Sequence, residues 1–243
     1  MNTELQPTDP TQYSTRTSAE HGPQAEKIRS MFSEIAGRYD LANTVMSLGV
    51  HHLWRKELVR WSGAKKRKKT LDCATGTGDL AIEFKRAVSS LGDVIGTDFC
   101  KEMMLPAPAK AKEAGFDIRF EQADVTQLPY DKARFDISSI SFGIRNVQEP
   151  TKGLSELARV VKPGGKVMVL EFGQPSFPIL SQLYKWYSRN ILPKIGGWIT
   201  GKPQHYSYLQ NSSAEFPCGQ KFVDLMMSTG RYTKVEYREL TFG

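Results

Sequence analysis

From residue 69 onward the chain alternates short apolar runs with longer amphipathic stretches, and that rhythm predicts its elements. Residues 70–74 read as a first strand that ends at glycines. Residues 79–88 read as a helix, opened by Asp79 in its first turn, where a carboxylate suits the helix dipole. Runs at 93–97, 118–122, 135–140 and 166–172 read as four more strands. Helices are predicted between them at 101–114, perturbed by Pro106 and Pro108, and at 151–161. Strands alternating with helices imply a mostly parallel sheet with helices on both faces. Near the end, residues 232–240 alternate like an edge strand. Ahead of the first strand, residues 24–61 read as helices with a break near Ser47, Leu48 and Gly49. The pattern predicts one Rossmann-like α/β domain over 23–243, with an N-terminal helical cap over 23–61 and an inserted lid over 175–210. Residues 1–22 are rich in Thr, Ser, Gln and Pro and are expected to be disordered.

The joins between elements carry the chemistry. Gly76-Thr77-Gly78 links the first strand to its helix, and glycine lets a backbone turn sharply and approach a ligand. Residues 76–81, GTGDLA, also fit the loose dinucleotide fingerprint, which keeps an NAD-dependent oxidoreductase as a rival. Two carboxylates argue otherwise. Asp72 stands four residues before Gly76, and the DxAxGxG that results resembles the DxGxGxG motif of S-adenosylmethionine methyltransferases. A carboxylate there is expected near a cofactor's amino group and sulfonium, and would repel pyrophosphate. Asp98 follows Gly78 by twenty positions, at the end of the second strand, where an acidic residue can accept from both ribose hydroxyls. The third strand ends at Asp124-Val125, placed for an adenine amine and ring.

Composition narrows the classes. Of 243 residues, 40% are hydrophobic and 24% charged, which suits one globular domain with additions. The three cysteines, Cys73, Cys100 and Cys218, are scattered, so neither a disulfide framework nor a zinc site is indicated. No apolar opening reads as a signal peptide, and no long apolar run reads as a membrane span. A cytoplasmic protein is the expectation. Net charge is +7, and five consecutive cations, Lys65 to Lys69, supply much of it. No aromatic residue interleaves them, which argues for a solvated turn and against nucleic acid.

Several longer segments resemble one family, the quinone-biosynthesis C-methyltransferases. Residues 39–54, YDLANTVMSLGVHHLW, match its YDxMNxxxSxxxHxxW pattern, with Ala42 in the usual Met position. Residues 159–173 match a second segment, with Gly173 where the family usually has Ser. Residues 141–147, SFGIRNV, look like its active-site segment, and 206–209, YSYL, with the later Phe216-Pro217, are also similar. Relatives continue past this chain's Gly243 into a seventh, edge strand, so that strand is either cut from this sequence or absent.

The resemblance implies a class I S-adenosylmethionine methyltransferase fold. It implies C-methylation of a polyprenyl quinol: demethylmenaquinol first, with 2-polyprenyl-6-methoxy-1,4-benzoquinol as the alternative. Asp72, Gly76, Thr77, Gly78, Asp98, Asp124, Val125 and Ser141 are then the cofactor-binding candidates. Arg145, Asn146 and Tyr39 are the catalytic ones. Arginine stays protonated, so Arg145 is expected to stabilise a developing phenolate rather than act as a base. Tyr39 and Asn43, spaced i, i+4, share a helix face that can roof the substrate. No metal is expected. A polyprenyl substrate raises membrane-surface contact, through the lid or the basic run, and a homodimer is the assembly left open. A non-enzyme rival is an inactive cofactor-binding subunit of a quinone-synthesis assembly.

Overall fold

The computed structural model describes residues 25–47, 49–173, 208 and 211–241. The expected tail over 1–22 lies outside them. So does the lid over 175–210, apart from Tyr208.

Three helices open the described chain: α1 (Ala25–Ile35), α2 (Tyr39–Met46) and α3 (Val50–Ser62). A 3-10 turn, Ala36–Arg38, joins the first two. The break expected near residues 47–49 falls between α2 and α3, where Gly49 adopts φ 75°, a left-handed value that glycine takes without a steric penalty.

The α/β body follows: β1 (Lys69–Cys73), α4 (Asp79–Val88), β2 (Asp93–Asp98), α5 (Lys101–Met104), α6 (Ala107–Glu113), β3 (Arg119–Gln122), β4 (Phe135–Ser141), α7 (Pro150–Arg159), β5 (Val161–Leu170) and α8 (Gln220–Ser228). The single helix expected over 101–114 is two, parted at Leu105-Pro106, because proline cannot donate into the preceding turn. The sheet order is β3-β2-β1-β4-β5, and every pair is parallel. β5 starts earlier than expected: Phe135 pairs with Val161, and pairing resumes at Ile137 with Lys166. Residues 162–165, KPGG, loop out between those pairs.

Alternate strand residues fill two cores, one on each face of the sheet. Leu71, Ile95 and Ile140 pack with Leu154 and Leu157 of α7 and Leu225 of α8. Val94, Ile137 and Met168 pack with Leu58 of α3 and with Leu80 and Phe84 of α4. A third cluster joins Ile28 and Met31 of α1 to Tyr208.

The expectation of an edge strand over 232–240 is corrected: these residues form no ladder. Their alternation comes from separate side-chain contacts. The Tyr232 hydroxyl donates to the Leu154 carbonyl (2.6 Å), Val235 packs on the α7 face, and Leu240 packs on the α3 face. Among the described residues the sheet therefore has five strands.

Candidate active site

The strand order reverses between β1 and β4, and in open α/β sheets ligands bind at such a point, beyond the carboxyl ends of the strands. A cavity of about 380 Å³ lies there. Ala74 and Gly76 form its β1 side, Asp98 its β2 side, and Asp124 and Val125 its β3 side. Ser141, Gly143 and Asn146 follow from β4, and Phe32 and Tyr39 come from the cap.

The glycine loop is tightly wound. Ala74, Gly76 and Gly78 all have positive φ, at 49°, 52° and 86°. A Cβ on Gly78 would stand 3.0 Å from the Ala107 Cβ and 3.1 Å from the Phe120 ring, so only glycine lets α6 and β3 approach the loop this closely.

Asp98 braces this loop. Its Oδ2 accepts from the Gly76 N–H (2.8 Å) and its Oδ1 from the Cys100 N–H (2.9 Å). Burial pushes its carboxyl up to about 6, although backbone N–H donors pull the other way. Asp124 lies at the mouth, where its Oδ1 accepts from the Thr126 N–H (2.8 Å) and hydroxyl (2.9 Å). The Ser141 hydroxyl is buried without a hydrogen-bond partner on a residue that lines the cavity. An orphaned polar group in such a place suits a ligand contact.

Asp72, Thr77, Gly78 and Arg145 are not on the cavity wall. Asp72 is buried beneath the loop, accepting from the Thr75 hydroxyl (2.7 Å) and the Ser139 hydroxyl (2.8 Å). Its carboxyl is also pushed up to about 6 by burial. The Thr77 hydroxyl donates to Asp40 Oδ1 (2.6 Å).

Arg145 is 3% exposed and pairs with Glu171. It also donates to the Phe142 carbonyl (2.9 Å), its guanidinium sits 5.4 Å from the Phe172 ring centroid, and its Nε is buried without a partner. Sequence reasoning missed Glu171 as that partner. The signal was present in the matched residues 171–173, at the end of the apolar fifth strand.

Tyr39 and Asn43 do share a face of α2 and are hydrogen-bonded. Burial raises the Tyr39 hydroxyl above the usual phenol range, which keeps it a proton donor, while the Arg145 charge pulls the other way. The Asn146 Oδ1 accepts from the Tyr208 hydroxyl (3.1 Å). Trp54 packs near Phe142 and Phe172, at 6.3 and 6.2 Å between centroids.

The thiols of Cys73 and Cys100 are held up at about 12 and about 11 by burial, which leaves them un-ionised. His51, His52 and Asp79 bring possible metal ligands within 4.8 Å of one another. Cations already occupy that cluster. Arg55 contacts His51 and lies 3.7 Å from Asp79, and the Lys110 ammonium is 2.6 Å from Asp79. Arg55 and burial hold the His51 imidazole down at about 4. We therefore read the cluster as a charge network.

The cations at 65–68 precede β1 and Lys69 is its first residue, so the run lies at the opposite end of that strand from the cavity. Lys68 lies 3.5 Å and Lys162 lies 3.2 Å from Asp136, so part of the charge is neutralised.

Comparison with known proteins shows the family and the fold. Residues 21–243 match the ubiE/COQ5 methyltransferase family. A ubiquinone/menaquinone biosynthesis C-methyltransferase UbiE of Bdellovibrio bacteriovorus is 62% identical over 223 residues, covering 92% of this chain and 94% of that one. A demethylmenaquinone methyltransferase of Deinococcus radiodurans is 39% identical over 218 residues, covering 90% and 89%. An S-adenosylmethionine-dependent methyltransferase of Thermotoga maritima, described as a possible histamine N-methyltransferase, superposes with TM-score 0.57 at 18% identity, over 84% of this chain and 80% of that one. The [4+2]-cyclase SpnF superposes with TM-score 0.56 at 15% identity, over 88% and 95%. These two structures share the fold; a fold alone does not fix a reaction.

Proposed function

The chain belongs to the ubiE/COQ5 methyltransferase family, and from that premise we propose that it transfers a methyl group from S-adenosylmethionine to a ring carbon of a polyprenyl quinol. Demethylmenaquinol is the first substrate. The methoxybenzoquinol of ubiquinone synthesis is the second, favoured by the name of the 62%-identical relative, which covers both quinones.

One observation carries the choice of cofactor over NAD: both glycine N–H groups of the loop, which would meet a pyrophosphate, are already taken. The Gly76 N–H is donated to Asp98, and the Gly78 N–H to the Thr75 carbonyl at 2.9 Å. Asp79 stands in the first turn of α4, and Asp40 reaches the same end through Thr77. Anions of the protein itself thus complement the helix N-terminus. The cavity instead offers the carboxylates of Asp98 and Asp124 and the free Ser141 hydroxyl. Those groups fit a cationic sulfonium ligand with ribose hydroxyls and an adenine amine. S-adenosylmethionine would be held by Asp98, Asp124 and Ser141 and would pack against Gly76 and Val125, and when bound it supplies a methyl group already activated by positive sulfur.

The remaining task is to hold the quinol ring and favour its phenolate. Tyr39 and Asn146 line the cavity and reach the substrate oxygens in this reading. The Tyr39 hydroxyl donates to one oxygen. Arg145, behind the wall, stabilises the developing anion through its field. Both oxygens of Glu171 face Arg145, one towards its backbone N–H (3.4 Å), which fixes the guanidinium in place.

The test is methyl transfer from labelled S-adenosylmethionine to short-chain demethylmenaquinol and to the methoxybenzoquinol, kept reduced. Transfer to a ring carbon is expected. Absence of transfer to either quinol sinks the reading and leaves the inactive-subunit rival. Calorimetry should show S-adenosylmethionine binding and no NAD binding. Membrane-surface contact, a homodimer and a cytoplasmic location belong to the proposal as well. Among the described residues no helix is long and apolar enough to cross a membrane.

A further inference from the structure

A small network beside the glycine loop lies outside the cavity lining. The Lys110 ammonium, on α6, donates to Asp40 Oδ2 (2.7 Å), to Asp79 Oδ1 (2.6 Å) and to the Thr77 hydroxyl (3.1 Å). Thr77 in turn donates to Asp40 Oδ1 (2.6 Å). One ammonium therefore gathers three segments: the cap helix α2, the glycine loop with the start of α4, and α6. Two features put it there. Gly78 lets α6 approach the loop, and Lys110 follows the contacting Ala107 by three residues, on the same helix face. The anions are shared unequally. Asp79 also has Arg55 at 3.7 Å, whereas Asp40 is held by Lys110 and Thr77.

Asp40 is the residue after Tyr39, in the first turn of α2. Helix α2 rests on modest packing: its Leu41 and Val45 are exposed, at 58% and 40%. Polar contacts must then fix where α2 lies over the cavity. We propose that Lys110 is a positioning residue for the methyl transfer: by pinning Asp40 to the glycine loop it holds Tyr39 and Asn43 over the substrate, and so sets the substrate wall in register with the cofactor wall. This rests on the quinol reading above only in naming what Tyr39 touches. The network itself is independent of the substrate.

Loss of Lys110 leaves Asp79 with Arg55 but leaves Asp40 with the Thr77 hydroxyl and no cation, so the effect should be local to α2. Because the Lys110 side chain is 28% exposed and that of Asp40 is 40%, salt should weaken the pin. Two readouts separate positioning from plain stability.

The first needs no turnover. Hydrogen exchange of the full chain should show faster exchange in residues 39–46 of Lys110→Met, with β1 and β4 unchanged, and Lys110→Arg should restore much of the protection. Unchanged α2 exchange overturns the proposal. The second is a kinetic cycle on the quinol substrate. Lys110→Met should lower kcat about tenfold, and should have little further effect in a Tyr39→Phe background, because it acts through Tyr39. Fully additive losses also overturn it, as does a fall in melting temperature with kcat unchanged. If the wild type transfers no methyl to either quinol, the functional reading fails, and the exchange experiment still decides the latch.

Discussion

The two walls of the cavity are built by different means. The cofactor wall is made of strand ends and is braced by two of its own carboxylates. Asp98 accepts two N–H groups from residues 76 and 100, and Asp72 grips Thr75 and Ser139 beneath the loop. The substrate wall is made of pieces from distant parts of the chain, Tyr39 on α2 and Asn146 hydrogen-bonded to Tyr208, with the Arg145–Glu171 pair behind them. Geometry carried by one charged pair depends on both partners. The substrate wall should therefore respond mainly through turnover, and the cofactor wall mainly through affinity.

The largest expected effect sharpens that contrast. Asp98→Ala removes an acceptor proposed to take two ribose hydroxyls, and hydrogen bonds to a charged group are worth roughly 1.5–3 kcal/mol each. S-adenosylmethionine affinity should fall by about two to four decades, at tenfold per 1.4 kcal/mol. Calorimetry measures it, with circular dichroism to confirm the fold. Unaltered affinity would remove Asp98 from the cofactor site.

Next is the Arg145–Glu171 pair. Arg145→Ala strands a buried carboxylate, and breaking such a pair typically costs about 3–5 kcal/mol. Turnover should fall by about 10²–10³, the usual penalty for losing a stabiliser of developing negative charge, while S-adenosylmethionine affinity changes little. Adding Glu171→Gln should recover much of the stability and none of the turnover. Thermal melts and single-turnover assays separate the two. Recovered turnover in the double variant would show that Arg145 serves only the fold.

A smaller effect follows from pH. The Asp98 carboxyl sits at about 6, above the ordinary carboxylate value, because it is buried. The sign is fixed: above pH 6 it is ionised and ready to accept, and below pH 6 the free protein must lose a proton to bind the cofactor. Affinity should therefore be flat from pH 8 to about 6.5 and fall by up to about tenfold per unit below 6, one unit being about 1.4 kcal/mol. For stability the sign reverses. A carboxyl raised by burial disfavours the folded state above its folded value, and that cost fades as pH falls through 6. Calorimetry in buffers of different ionisation enthalpy should detect proton release on binding near pH 5.5. An affinity that rises as pH falls would contradict the assignment of the shift to Asp98.

The same contrast explains what could be read in advance. Helix α4 was legible to its ends, 79–88, and β2 to within one residue, because a buried parallel strand is a continuous apolar run and a surface helix is periodic. Asp98, Gly76 and Asp124 were legible because their spacing along the chain fixes their place at the strand ends. Placing Asp72 beside a ligand did not foresee that Thr75 and Ser139 occupy its oxygens, since Ser139 reaches it from β4, 67 residues away. The Glu171 partner of Arg145 is 26 residues off, and Lys110 is 70 from Asp40. No periodicity encodes such pairs; tertiary packing assembles them. The alternation over 232–240 misled because period two reports which side chains are buried, not whether the backbone has a neighbour to pair with.

The smallest expected effect concerns the basic run. A polyprenyl substrate dwells in a bilayer, which motivates the hypothesis that Lys65 to Lys69 dock the protein on anionic lipid, at about 1 kcal/mol per nearby cation. The fold argues that such docking does not serve the cavity directly. The run ends on the first residue of β1, and the cavity lies past the other end of that strand, about 13 Å away at 3.3 Å per residue. Lys68 is also engaged with Asp136. Changing all five cations to Gln should therefore leave turnover of a short-chain quinol within about twofold. Stability should move by only about 0.5 kcal/mol per site, as at most surface positions. Flotation with anionic liposomes should weaken in the variant, and also in the wild type as salt shortens the Debye length from about 10 Å at 0.1 M to 3 Å at 1 M. The informative measurement is turnover of quinol embedded in those liposomes. If the variant loses it while keeping the short-chain activity, the basic edge does deliver the enzyme to its substrate, and the separation of the two edges does not insulate the cavity from docking. If both activities hold, the approach to lipid is made by another part of the chain.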